Sequence, residues 1–291
     1  MRDVLATAEA GMGSMDEDGL ERIGDLDVRL VGPRDGAPVL FLHSIGTGHR
    51  VWDGVVPHLP PGVRAILPDL RGHGGSAAMT PGQSMRTLVG DVAQLLAGLR
   101  SPPCLVVGLS LGGMIAQGLA AERGDLVRAM VLMSTGAKIG TRAVWEQRIE
   151  AIRAEGLSAQ ADGILDRWFP PRFHAAEAAT VAMWRDRLLA TEAESYCAAC
   201  AAIAETDLFE STSRLRLPTL GLVGTADPVT PPDLVREAVD LIPGSQFALL
   251  RGAGHLPPID KPAEVAAAVN GFMVETGHLL APHEPTPPRL T

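Results

Sequence analysis

The chain has 291 residues, of which 46% are hydrophobic and 20% charged. That is apolar material for one large α/β domain with an insertion, or for two small domains, and too much for a disordered chain. The formal net charge of −9 argues against nucleic acid and against an anionic membrane surface as partners.

Residues 1–24 are small and acidic, contain no apolar signal core, and read as a flexible leader. Leu26 to Val31 reads as an edge strand. Pro38 to His43 is a continuous apolar run, as a central parallel strand requires, and it ends in the loop Ser44-Ile45-Gly46-Thr47-Gly48. His49 to Leu59 has helical spacing, and Val63 to Leu67 is the next strand. The Gly-rich loop after it, Asp69 to Ser76, has neither G-x-G-x-x-G nor a Walker lysine, so no nucleotide is expected. Ser84 to Leu99 is an amphipathic helix with Leu88, Val92, Leu95 and Leu96 on one face.

An apolar strand, Pro103 to Val107, and a helix, Met114 to Glu122, enclose Gly108-Leu109-Ser110-Leu111-Gly112-Gly113. A G-x-S-x-G between strand and helix is a nucleophile elbow. The serine must sit on a sharp, strained turn, and side chains two positions to either side would collide with it, so glycine is needed there. The N–H groups of the following helix then face the site. Val127 to Met133 is a further strand. The alternation of strands and helices to this point implies a parallel sheet of βαβ units.

Between residues 136 and 214 every apolar pattern is helical: Val144 to Ala154, Ser158 to Phe169, Ala175 to Thr191, and Glu194 to Ala204. This reads as a helical cap inserted into a core formed by residues 25–135 and 215–276. The cap holds Trp145, Trp168, Trp184 and Tyr196; most should pack inside it, and Trp145 is taken to face substrate. Cys197 and Cys200 have redox spacing but no second pair, so no metal is expected. With three cysteines in all, and no run near the roughly 18 apolar residues of a membrane span, a reducing cytoplasm is the expected location.

The strand rhythm resumes at Pro218 to Val223, before a loop carrying Asp227 and a helix from Asp233 to Leu241. Gln246 to Leu250 is the last strand, followed by Gly252-Ala253-Gly254-His255 and a helix from Ala263 to Glu275. Residues 277–291 form a Pro-rich tail. Functional groups of parallel sheets collect at the carboxyl ends of strands, where three loops offer Ser110, Asp227 and His255. A serine needs a base within hydrogen-bond reach, and the base needs an orienting carboxylate. The chain order Ser, Asp, His fits that assignment. The oxyanion donors are expected to be the backbone N–H groups of Leu111 and Ile45.

Over residues 26–275, the segments HSIGTG, PDLRGHGGS, GTADPVTPP and GAGHLPPIDKP resemble the α/β-hydrolase superfamily. More narrowly, GLSLGGMIAQGLA, STGAKIGTRAVWEQRI, ILDRWFPPRF and YCAACAAIAETDL resemble 3-oxoadipate enol-lactonases of the protocatechuate branch of aromatic degradation. The resemblance implies a mostly parallel sheet flanked by helices, with the cap following the strand after the nucleophile helix. It also implies hydrolysis of a carboxylate-bearing enol-lactone through an acyl-enzyme on Ser110, with no cofactor or metal and a small molecule as the only partner. Lys138 or Arg142, at the start of the cap, would bind the substrate carboxylate, although the family tends to carry Arg where this chain reads Ala137-Lys138-Ile139-Gly140. A general carboxylesterase, another lactonase, a C–C bond hydrolase and a non-catalytic receptor of the same fold stay open. The oligomeric state is not determined by the sequence.

Overall fold

A computed structural model describes residues 19–279. Most of the expected leader and the tail from residue 280 lie outside the described residues. Eight strands form one sheet in the order β1-β2-β4-β3-β5-β6-β7-β8. They are β1 (Leu20–Ile23), β2 (Leu26–Val31), β3 (Ala37–Leu42), β4 (Val63–Pro68), β5 (Cys104–Leu109), β6 (Val127–Met133), β7 (Thr219–Gly224) and β8 (Gln246–Leu250). Strand β2 pairs antiparallel with β1 and β4, and every other pairing is parallel.

Strand β1 corrects the leader reading at its end. Leu20–Ile23 folds back on β2 through Gly24, which has φ 60° and can make the turn because it lacks a Cβ. The central strands β5 and β7 are buried along their whole length, which is why, Thr219 apart, their sequences are continuously apolar rather than alternating.

Helices α1 (Met85–Gly98), α2 (Leu111–Glu122), α9 (Pro232–Asp240), the short α10 (Pro257–Asp260) and α11 (Pro262–Glu275) belong to the core. A capping box starts α1, with Ser84 and Thr87 each bonding the other's backbone N–H. Its buried face includes Leu88, Val92, Leu95 and Leu96, each worth about 1.5–3 kcal/mol of transfer energy. The helix expected over His49 to Leu59 is instead two short 3-10 turns, His49–Trp52 and Val56–His58. Pro57, which has no N–H to continue an α-helix, sits in the second turn.

The cap comprises α3 (Arg142–Glu155), α4 (Leu157–Trp168), α5 (Pro171–Ala176), α6 (Ala178–Leu189), α7 (Ala193–Glu205) and α8 (Phe209–Ser213). The single helix expected from Ala175 to Thr191 is broken at Glu177, whose backbone turns to φ −126°, ψ 41°. The corner seats Phe173 on Phe169, with ring centroids 4.8 Å apart. Both feet of the cap are tied to the core by the buried Gln117 of α2. Its amide donates to Gly136 O at 3.1 Å and accepts from Thr212 Oγ1 at 2.9 Å.

The strand register pairs Leu42 with Gly108, Gly108 with Leu132, and Gly224 with Leu250. The carboxyl ends of β3, β5, β6, β7 and β8 are therefore in step, and their loops share one edge of the sheet beneath the cap.

Candidate active site

Ser110 stands between β5 and α2 with φ 54° and ψ −112°, a backbone conformation that L side chains rarely adopt. The surrounding contacts explain the flanking glycines. A Cβ on Gly108 would lie 2.4 Å from Gly112 O, and one on Gly112 would lie 2.2 Å from Leu42 O. The turn is pinned by Ser110 N donating to Met133 O (2.9 Å) and by Thr135 Oγ1 donating to Ser110 O (2.7 Å).

The structure brings Ser110, His255 and Asp227 together from three loops. Ser110 Oγ lies 3.1 Å from His255 Nε2, and His255 Nδ1 lies 3.0 and 3.1 Å from the two Asp227 oxygens. All three residues are buried. A carboxylate beside Nδ1 places the imidazole proton there and leaves Nε2 to accept from the serine hydroxyl. Burial pushes the Asp227 carboxyl up. The charge of His255, its hydrogen bond and those from Thr230 outweigh burial and hold the group below the usual carboxylate value.

Leu111 is the first residue of α2, so its N–H has no partner within the helix. Ile45 lies in the loop after β3 and lines the same cavity as Ser110. Two histidines that the sequence reading left without a role brace this loop. His73 Nε2 accepts the Gly46 N–H at 2.9 Å, and His43 Nε2 accepts the Leu70 N–H at 2.8 Å. Accepting at Nε2 leaves the proton on Nδ1, which donates to Arg71 O in His73 and to Ser44 O in His43. Burial, reinforced by His73, pushes the His43 pKa down to about 3, and burial lowers that of His73. Both rings are therefore neutral fixtures of the loop. Their signal in the sequence was position alone: one ends a buried strand and the other sits in a Gly-rich turn.

Ser110 and His255 open on a narrow cavity between core and cap. Its walls are Ile45, Ile139, Ile164, Ile203 and Val229, with Trp145, Trp168 and Tyr196. Trp145 donates its Nε1–H to Ile139 O at 2.6 Å, which fixes its ring in the wall. Two arginines complete the lining, Arg148 from α3 and Arg167 from α4. Arg148 packs 4.6 Å from the Trp145 ring centre. Arg167 is half-buried, and burial, then the charge of Arg148, lowers its pKa. Among the described residues neither guanidinium forms an ion pair with a carboxylate, and the nearby charge of Asp166 offsets only part of the lowering at Arg167.

Lys138 and Arg142, expected from the sequence to bind substrate, are not among the side chains that line this cavity. Lys138 is exposed and pairs with Asp207 at 3.1 Å. Arg142 is exposed and faces Glu146 and Glu205 at 3.5 and 3.7 Å. The inward face of α3 runs through Trp145, Ile149 and Ile152, and Arg148 follows Trp145 by three residues on that face. Arg142 is the first residue of α3, one turn before Trp145, and is exposed at the helix end. The spacing from Trp145 to Arg148 was available in the sequence, but the direction of that face was not.

Cys197 and Cys200 are buried free thiols, and no group of three or more metal-ligating side chains occurs among the described residues. No helix among them is long and apolar enough to cross a membrane.

The profile of the alpha/beta hydrolase family matches residues 39–268. The chain is 30% identical over 248 residues to 3-oxoadipate enol-lactonase 1 of Acinetobacter baylyi, covering 85% of this chain and 92% of that protein. It is 31% identical over 261 residues to the lipase LipV of Mycobacterium tuberculosis, covering 84% of this chain and 96% of that one. The solved structure of the enol-lactonase from Burkholderia xenovorans superposes with a TM-score of 0.83 at 32% identity, covering 88% of this chain and 98% of that chain. With an eight-stranded, mostly parallel sheet flanked by helices and this extent of similarity, the chain belongs to the α/β hydrolase family.

Proposed function

We propose that this protein is a serine hydrolase that opens a small, carboxylate-bearing enol-lactone in the cytoplasm. The observation that carries the reading is the pair of guanidiniums, Arg148 and Arg167, in the cavity that holds Ser110 and His255. An apolar cavity with two cations and no internal carboxylate is suited to an anionic ligand, because desolvation strengthens each charge-assisted hydrogen bond. The enol-lactonase relatives give this anion a lactone ring.

Ser110 Oγ attacks the lactone carbonyl as its proton passes to His255 Nε2, 3.1 Å away. The oxyanion is held by the N–H groups of Leu111 and Ile45. Collapse breaks the C–O bond to the ring oxygen, and the enolate that leaves takes the proton from His255. It stays tethered to the acyl group now on Ser110. Water, deprotonated by His255, attacks the acyl carbon, and Ser110 Oγ departs with that proton. The free enol acid then tautomerises to a 3-oxo diacid. Asp227 supports the imidazolium through both protonated steps.

A panel of substrates tests this reading: the enol-lactone acid, its methyl ester, a saturated lactone and a simple acyl ester. Preference for the enol-lactone acid in kcat/KM is expected. The lipase relative makes a general esterase the competing reading, and faster turnover of the neutral esters would select it.

A further inference from the structure

The carboxylate of Asp227 receives more than the imidazole. Its Oδ1 accepts the N–H groups of Val229 (2.8 Å) and Thr230 (3.0 Å), and its Oδ2 accepts the Thr230 hydroxyl at 2.7 Å. The same hydroxyl oxygen lies 3.3 Å from His255 Nδ1. Thr230 is fully buried, and Pro231 and α9 follow it directly, so both its backbone and its side chain are fixed. A threonine hydroxyl has one proton to donate. Nδ1 carries its own proton, so the hydroxyl proton goes to Asp227.

We propose that Thr230 is a positioning residue for the base: its hydroxyl holds the Asp227 carboxylate at one rotation and takes up part of its negative charge. The hydroxyl thereby sets how strongly Asp227 draws on His255. This inference rests on Ser110, His255 and Asp227 being the reacting set. The other charged groups near His255 come from the cap and from α10, the short helix that follows it. Arg148 and Arg167 face it across the cavity, while Arg172 and Asp260 bond its neighbours Gly252 and Gly254. A change at Thr230 alters none of them.

The test is Thr230→Val, which keeps the branched shape and removes the donor, with Thr230→Ser as the rescue. Titration of His255 is read by NMR on the labelled full chain, without substrate. With the hydroxyl gone, Oδ2 keeps more charge for His255 and the protonated ring is favoured, so its titration curve is expected to move to higher pH than in the wild type. On p-nitrophenyl acetate, kcat should fall about tenfold with KM unchanged, as the carboxylate gains rotational freedom. Thr230→Ser should restore both values. An unmoved titration with wild-type kcat overturns the inference, as does a Ser variant as impaired as Val, which would make shape and not the hydroxyl the cause. If circular dichroism shows that Val disturbs the fold, Thr230→Ala carries the same comparison against Ser. The titration needs no enol-lactone, so a failure here is distinct from a failure of the substrate reading.

Discussion

The backbone N–H of His255 donates to the carbonyl of Trp168 at 3.0 Å, so the last residue of cap helix α4 fixes the loop that carries His255. Gly254 makes this approach possible: a Cβ there would lie 2.7 Å from that same carbonyl oxygen. Arg172 adds a second tie, donating to Gly252 O at 2.7 Å and lying 3.4 Å from Asp260, whose Oδ2 accepts the Gly254 N–H at 3.0 Å. Cap and core are thus joined at the His255 loop itself. Arg167, one residue before Trp168, points from the same helix end into the cavity.

Loosening that tie should show in turnover more than in binding. Asp260→Asn or Arg172→Ala is expected to lower kcat several-fold, about the effect of one hydrogen bond, while KM changes little. Steady-state kinetics on one ester suffices, and a rise in KM with kcat intact would assign these residues to substrate entry instead.

Ser110→Ala should abolish turnover to within a residual set by binding and oxyanion contacts, with the fold retained. The double variant Ser110→Ala/His255→Ala should be scarcely worse than either single variant, since the two act as a unit. Strictly additive losses would count against a shared proton transfer.

Arg148→Met and Arg167→Met should each reduce kcat/KM for the enol-lactone acid by about 10- to 100-fold, the range of a hydrogen bond to a charged group. The methyl ester should be affected much less. Lys138→Ala should leave both substrates near wild type, because its ion pair with Asp207 is solvent-exposed. A large, acid-selective loss in the Lys138 variant would restore the role expected from the sequence.

Stability should fall on mild acidification. Burial holds His43 neutral, its pKa lowered from 6.5 to about 3, and His73 is lowered in the same direction. The unfolded chain takes up these protons as pH drops below 6.5, whereas the folded chain does not, so stability present above 6.5 is lost progressively toward about 3. Each such group contributes a slope of up to about 1.4 kcal/mol per pH unit. Urea titrations at pH 7.5 and pH 5 measure it, and His43→Asn should flatten the dependence. Equal midpoints at both pH values in the wild type would contradict neutral burial.

The strained turn at Ser110 follows from the chain alone because its requirements are local. Only glycine fits beside Ser110 when a Cβ at Gly108 or Gly112 would meet backbone oxygen at 2.4 or 2.2 Å. Strand order and the apolar runs likewise place Asp227 and His255 at strand ends, since sheet periodicity and burial are written in consecutive residues. Short β1 and the broken turns of 49–58 escaped because pairing with β2 and the lone Pro57 outweigh hydrophobic spacing. That Arg148 and Arg167 line the cavity, and Lys138 and Arg142 do not, was decided by tertiary structure. A helix presents a cation at any phase, and only the docking of α3 and α4 on the core turns one face toward Ser110. The same holds for His43 and His73, whose rings acquire a role only when the loops after β3 and β4 are brought side by side.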